Sequence, residues 1–253
     1  MIPFFCFYSM FGLQRIGDVS SPPELLQPAL GDALTGEGHG LLATMAPDAR
    51  RQTVVLTIDE ELELLADAAL GKYEGSLVCL DPDTGEILAH AVHPPAAPRG
   101  VAIGGAAVPG HFEPGSVIKI STYLAAIDAG VPLAEIFPLS CGGSMTIEGK
   151  QFFDWTTHGN VPDLDHALAV SCNLAFARLG LRTGADAIRS TLPRFGFDRP
   201  QDGILELGRL APASAGERSL ANLSVGLEEI SATPLQLAVM AQAVASGGIA
   251  RRP

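Results

Sequence analysis

Ser116-Val117-Ile118-Lys119 places a hydroxyl three residues before an amine. On a helix, positions i and i+3 share a face, so the amine reaches the hydroxyl and can take its proton. A serine is a weak nucleophile until a neighbouring base does this. Val117, Ile118, Ile120 and Leu124 surround the pair in sequence, and burial among such side chains disfavours an ammonium ion and lowers the lysine pKa. Pro114 and Gly115 predict the start of the helix, Val117 to Ala129 its body, and Gly130 with Pro132 its stop. The other lysines, Lys72 and Lys150, read as solvated surface residues, which leaves Lys119 as the candidate base.

A second constellation, Ser171-Cys172-Asn173, lies on a helix predicted over Asp163 to Ala177. Its hydroxyl is suited to passing a proton to a leaving group. Its amide is suited to holding a substrate carbonyl or fixing Lys119. Metal chemistry is not expected. Cys6, Cys79, Cys141 and Cys172 form no C-x-x-C pair and read as single buried thiols, neither a zinc site nor a disulfide framework. His90 and His93 fall in a predicted strand, where they point to opposite faces. The expectation is therefore an enzyme with no cofactor and no metal.

The elements that must position these groups follow from the patterning. A hydrophobic fraction of 47% over 253 residues gives a folded chain with a sizeable core. A net charge of -12 with no basic stripe argues against nucleic acid as a partner. Met1 to Gly12 is apolar but too short to span a bilayer. It lacks the basic start and cleavage site of a signal peptide, and it reads as the remnant of an anchor or as a strand. Residues 17–52, rich in Gly, Pro and Ser, read as an irregular lead-in, so 1–52 precedes a domain of 53–253. After the apolar run Val54 to Leu56, Thr57 and Glu60 predict a capping box, and Leu62, Leu65, Ala66 and Ala69 predict the buried face of a helix ending at Gly71. A hairpin follows, with Ser76 to Leu80, a turn at Asp81 to Gly85, and Glu86 to Val92. Residues 94–112 and 138–162 read as irregular, Ala185 to Leu192 as helical, and Thr233-Pro234 to Ala245 as a helix with proline in its first turn. Pro234 and the polar residues of Ile230 to Ala250 mark that segment as buried helix rather than a membrane span. A helix, a hairpin and then many helices make an α+β chain.

In order and spacing, these segments resemble the transpeptidase domain of penicillin-binding proteins over most of residues 53–253. Val55 to Asp59 is similar to the family's approach to the domain, and Leu80-Asp81-Pro82-Asp83-Thr84-Gly85-Glu86-Ile87-Leu88-Ala89 to its first hairpin. Phe112-Glu113-Pro114-Gly115-Ser116-Val117-Ile118-Lys119 is similar to the nucleophile segment. Trp155, His158-Gly159, Asp163-Leu164, Ala167-Leu168 and Ser171-Cys172-Asn173 resemble the monofunctional class B members, and Thr233 to Ala238 resembles a later family segment. The resemblance implies a serine beta-lactamase/DD-transpeptidase-like fold, an antiparallel sheet flanked by helices. It implies that Ser116 attacks the D-Ala-D-Ala amide of a peptidoglycan stem peptide, that Lys119 is the base, and that Ser171 and Asn173 line the cleft. Trp155 is carried over as a substrate-side residue. Beta-lactams would acylate Ser116, its N–H would serve as one oxyanion donor, and the site of action would be the outer face of the cytoplasmic membrane. Membrane glycosyltransferases and division or elongation proteins are the implied protein partners.

Two departures bear on this expectation. No K-[ST]-G occurs in 1–253, and Arg182-Thr183-Gly184 reads as a helix stop instead. The domain is thus expected to be C-terminally truncated and incomplete. Residues 1–253 alone would then fold poorly or turn over slowly, because one oxyanion donor is worth about a hundred- to a thousand-fold in rate. Gly226-Leu227-Glu228-Glu229 also stands where the family tends to have a glycine-glutamine turn. The alternatives to a transpeptidase are a non-catalytic relative that binds wall peptide or a partner, a serine beta-lactamase or carboxypeptidase, and a helical domain with an accidental Ser/Lys pair.

Overall fold

The computed structural model describes residues 57–73, 75–93, 112–198 and 208–253, which fall into two compact units. The expectations for residues 1–56 and 94–111 lie outside the described residues. The first unit contains residues 57–93 and Thr233–Pro253, and the second contains residues 112–198 and 208–232.

Helix α1 (Glu60–Leu70) opens the first unit and ends at Gly71, as predicted. Its cap differs from the expected box. Asp59 accepts from the Leu62 N–H, while the Thr57 hydroxyl donates to the Ile87 carbonyl at 2.6 Å. The buried face also differs: Glu63, Ala66 and Leu70 are buried, whereas Leu65 and Ala69 are exposed. The Glu63 carboxylate sets this rotation by accepting from the His90 N–H at 2.7 Å, which caps a strand-edge donor that would otherwise lack a partner. Strands β1 (Gly75–Leu80) and β2 (Ile87–His93) pair antiparallel, within a residue of the predicted hairpin, with a register shift between Cys79 and Leu80. The Asp81 carboxylate closes the turn by accepting from the Asp83 and Thr84 N–H groups, each at 2.8 Å.

The second unit begins with a single 3-10 turn, Gly115–Ile118, that leads into α2 (Lys119–Asp128). The segment read as irregular contains four short strands. β3 (Leu139–Cys141) pairs with β6 (Gly159–Val161), and β4 (Ser144–Ile147) with β5 (Lys150–Phe153). Strands of three or four residues are too short for a period-two pattern to stand out. The helix predicted over Asp163 to Ala177 is two helices, α3 (Leu164–Ala169) and α4 (Asn173–Thr183), and Ser171 lies in the break between them. α5 (Ala185–Thr191) follows. β7 (Arg209–Leu210), α6 (Glu217–Ser224) and β8 (Ile230–Ser231) complete the unit, and Phe112 bridges to Ala232.

Helix α4 is the centre of this core, with Leu174, Ala175, Phe176, Ala177, Leu179 and Gly180 all buried. It packs on α2 and α6. Gly180 permits the close approach to α6, since a Cβ there would lie 1.7 Å from the Ser224 hydroxyl. Burying Phe176 completely contributes about 1.5–3 kcal/mol.

The chain returns to the first unit in α7 (Pro234–Ala245), with Pro234 in its first turn as the sequence predicts; Thr233 caps it, and α7 packs on β1. Its buried Gln242 donates to the Pro82 carbonyl at 2.6 Å and accepts from the Arg251 N–H at 2.9 Å, which ties the hairpin turn to the residues after the helix. Among the described residues, no helix is long and apolar enough to cross a membrane. Antiparallel pairs covered by helices give the predicted α+β class.

Candidate active site

The 3-10 turn fixes the geometry around Ser116. In such a turn, residues i and i+3 eclipse one another, so Ser116 stands over Lys119, the first residue of α2. Gly115 has φ 60, a conformation open to glycine at little cost, and its N–H donates to the Gly226 carbonyl at 2.9 Å. Gly226 has φ 82, and a Cβ there would lie 2.0 Å from the Gly115 oxygen. The Glu113 carboxylate accepts from the Glu228 N–H at 2.7 Å. The turn at 226–228 therefore clamps both sides of the segment that carries Ser116. This gives a role to residues that the sequence marks only as unusual.

Ser171 arrives by a different device. The Ser171 N–H donates to the Leu168 carbonyl at 3.0 Å and the Cys172 N–H to the Ala167 carbonyl at 2.9 Å. This is the Schellman closure of α3. Glycine favours the left-handed position of that motif, and Ser171 occupies it with φ 55. Such strain persists where the side chain has a task. Cys172 then caps α4, its sulfur accepting from the Ala175 N–H at 3.4 Å. Ser171, Cys172 and Asn173 thus occupy a turn and a helix start, which corrects their predicted place inside a helix.

The Lys119 amine is fully buried, while Ser116 is exposed. Nζ lies 2.7 Å from the Ser171 carbonyl, 2.6 Å from Asn173 Oδ1, 3.0 Å from Ser171 Oγ and 3.1 Å from Ser116 Oγ. Ser171 Oγ and Ser116 Oγ are 2.9 Å apart. Two of these partners, the carbonyl and the amide oxygen, can only accept. In a neutral amine they take both N–H bonds, and the lone pair is left for the two hydroxyls. Burial pushes the Lys119 pKa down from 10.5 to about 8, against the opposing pull of Asp154 and Cys172. The Phe176 ring lies 5.6 Å from the amine and contributes to its dry surroundings. A buried amine, two hydroxyls within hydrogen-bond reach and a lone pair free to accept from them make an arrangement able to activate a serine for acyl transfer.

A model of the penicillin-binding protein transpeptidase domain matches residues 75–253. The chain belongs to this family. The peptidoglycan D,D-transpeptidase PbpA of Mycolicibacterium smegmatis is 31% identical over 97% of this chain and 55% of its own length. PbpA of Mycobacterium tuberculosis is 29% identical with the same coverage, so the chain spans about half the length of the curated relatives it matches. The crystal structure of the M. tuberculosis protein superposes with TM-score 0.73 at 27% identity, covering 96% of this chain and 64% of that one. Its penicillin G acyl-enzyme complex gives TM-score 0.69 at 29% identity, covering 82% and 55%. The fold is that of the penicillin-binding protein transpeptidase domains.

The other residues singled out in the sequence fall as follows in this transpeptidase domain. Trp155 is 69% exposed and stands edge-on to His158 at 5.3 Å, and it is not among the partners of the Lys119 amine. Arg182 pairs with Glu135, and Gly184 ends α4 with φ 87, in keeping with a helix stop. His90 is held neutral, its pKa lowered by burial to about 4.

The structure also gathers residues that the sequence left apart. The ligand atoms of Cys141, Asp154, His158 and Cys172 all lie within 4.8 Å of one another beneath the Ser171–Asn173 turn. Burial opposes ionisation of Asp154. The Cys172 thiol and the N–H groups of Asn173, Leu174 and Trp155 outweigh it and hold the carboxyl below its usual value. Burial pushes the Cys172 thiol up to about 12. The only sequence trace of this cluster is a D-x-x-x-H spacing, since the two cysteines come from other elements.

Proposed function

We propose that this chain carries the acyl-transfer machinery of a peptidoglycan D,D-transpeptidase, with Ser116 as nucleophile, Lys119 as base, and Ser171 and Asn173 as the groups that orient it. Ser116 gives its proton to Lys119 Nζ while Oγ attacks the carbonyl between the two D-alanines of a stem peptide. The tetrahedral intermediate collapses with cleavage of the C–N bond. The terminal D-alanine leaves as an amine after receiving the proton from Lys119 through the Ser171 hydroxyl. An amine of a neighbouring stem peptide then attacks the ester, its proton returns to Ser116 along the same path, and a cross-link results. A beta-lactam follows the first half of this course, its ring amide taking the place of the scissile bond. Such a substrate places the protein in the cell envelope.

The observation that carries this reading is the Lys119 amine, dry and directed by two obligate acceptors toward the Ser116 hydroxyl. The relatives named D,D-transpeptidase and the penicillin G acyl-enzyme of the M. tuberculosis protein support the choice of donor. The test supplies the protein at its natural length with a donor stem peptide and an acceptor amine. Release of D-alanine together with a joined product supports transfer. Release of D-alanine with hydrolysis as the sole outcome would assign a carboxypeptidase instead.

A further inference from the structure

We propose that Glu148 is a positioning residue: its carboxylate caps α6 from the β4–β5 hairpin, and α6 in turn holds Ser116 against Lys119. The two carboxylate oxygens accept from the Glu217 N–H at 2.9 Å and the Arg218 N–H at 3.4 Å. The Arg218 guanidinium answers from the helix, donating to the Gln151 carbonyl of β5 at 3.0 Å. Hairpin and helix are thus clasped from both sides, by residues 69 apart in sequence at the Glu148–Glu217 contact.

The residue types here are those that the clasp needs and that the local turns do not. Ile147 pairs with Lys150, so Glu148 and Gly149 form a two-residue loop. Their φ values of 51 and 75 are both left-handed, which is the type I′ form. Asn, Asp and Gly favour its first position, and glutamate does not. A residue kept in such a conformation commonly has a task. Asn or Asp would be one methylene shorter and would leave the 2.9 Å bond to Glu217 beyond hydrogen-bond range. Helix α6 for its part starts after Gly216, which has no side chain to cap it. Gly216 has φ 113, and a Cβ there would lie 2.8 Å from Glu148 Oε1. The missing local cap and the incoming carboxylate occupy the same place. The first N–H groups of a helix have no partners within it, and an anion beside them also meets the positive end of the helix dipole.

The far end of α6 meets the groups to which the proposed function assigns the chemistry, and the expected rates rest on that assignment. The Gly226 N–H donates to the Leu223 carbonyl at 3.1 Å and the Leu227 N–H to the Asn222 carbonyl at 2.9 Å, which folds the turn back onto the helix. The Gly226 carbonyl then accepts from the Gly115 N–H at 2.9 Å. The Thr122 hydroxyl, one turn beyond Lys119 on α2, donates to the Ser224 carbonyl at 2.9 Å. One eight-residue helix therefore touches both the turn that carries Ser116 and the helix that carries Lys119. Ile147, Phe152, Ala221 and Val225 share one buried core, so hairpin and helix move as a unit while the clasp holds. Without it the first turn of α6 loosens, and the displacement reaches Gly115 through Gly226. The 3.1 Å contact between Ser116 and Lys119 is the distance at risk.

The test uses the protein at its natural length and the variants Glu148→Ala, Glu148→Asn and Glu148→Gln. Acylation by a fluorescent penicillin is followed to saturation, which separates the first-order acylation constant from the dissociation constant of the initial complex. Glu148→Ala and Glu148→Asn should lower the acylation constant about tenfold and change the dissociation constant less than about twofold. Asn suits the type I′ turn yet cannot reach α6, so it removes the clasp and spares the hairpin even if Glu148→Ala fails to fold. Glu148→Gln keeps an acceptor oxygen at the same reach and should return the acylation constant to within about threefold of wild type. Amide exchange of the peptide containing Gly115, measured by mass spectrometry in a Ser116→Ala background, should quicken about tenfold on adding Glu148→Asn. A wild-type acylation constant in Glu148→Asn would overturn the positioning role, and unchanged exchange would overturn the path through Gly226. Wild-type protein that is not acylated at Ser116 contradicts the proposed reaction instead, and the exchange result then decides the clasp by itself.

Discussion

The Lys119 amine should govern how beta-lactam acylation varies with pH. Its pKa is lowered by burial from 10.5 to about 8. Acylation needs the neutral form, because an ammonium has no lone pair to accept the Ser116 proton. At pH 7 about one-tenth of the amine is neutral, and at pH 9 about nine-tenths. The second-order acylation constant should therefore rise about tenfold between pH 7 and pH 9 and then level off. A lysine of ordinary pKa would give about a hundredfold rise over the same interval and no plateau by pH 9. Stopped-flow or timed-gel measurement with a fluorescent penicillin on the protein at its natural length distinguishes these outcomes. A penicillin concentration series at each pH gives the second-order constant as the initial slope of rate against concentration. A profile flat from pH 6 to 9.5, or one still climbing tenfold per pH unit above 9, would refute Lys119 as a depressed-pKa base.

Further variants probe the parts that hold this amine. Gly226→Ala forces a Cβ into the Gly115 carbonyl at a φ of 82; a loss of about 2–4 kcal/mol in denaturant unfolding is expected, with slower acylation, and an unchanged midpoint would contradict the clamp. Asn173→Ala removes the 2.6 Å acceptor of the amine; a fall of about ten- to a hundredfold in acylation with the fold intact by circular dichroism is expected, and wild-type rates would dismiss its orienting role. Glu229 is buried, pairs with Arg189 at 3.0 Å and accepts from the Ser214 N–H at 2.6 Å. Glu229→Ala leaves these partners uncompensated and should cost about 3–5 kcal/mol, lowering Tm by roughly 10 °C in calorimetry, and a Tm within about 2 °C of wild type would refute this.

What the sequence reveals is what is local. Ser116 and Lys119 meet across three residues, the hairpin follows from the Asp81 to Gly85 turn, and α7 is announced by Thr233 and Pro234. Each depends on neighbours in the chain, so type and spacing suffice. Helix α6 escapes because Gly216 precedes it with no side-chain cap. The break between α3 and α4 escapes because its left-handed residue is Ser171, where glycine would have given the signal. β3 to β6 are too short for alternation to register. The candidate site shows the same division. The four groups around the amine are legible as two motifs, yet their distances depend on the Schellman turn and the Gly226 clamp. The Cys141, Asp154, His158 and Cys172 cluster depends on tertiary contacts that include the pairing of β3 with β6, and its one linear trace is the spacing of Asp154 and His158.

On the proposed function, the exposed Ser116 hydroxyl, activated by the buried Lys119, forms the acyl-enzyme. Tandem mass spectrometry of the benzylpenicillin-treated protein tests it most directly. A single penicilloyl adduct on the peptide containing Ser116 is expected, and none after Ser116→Ala or Lys119→Ala. An adduct on another serine, or undiminished acylation of Ser116→Ala, would contradict it.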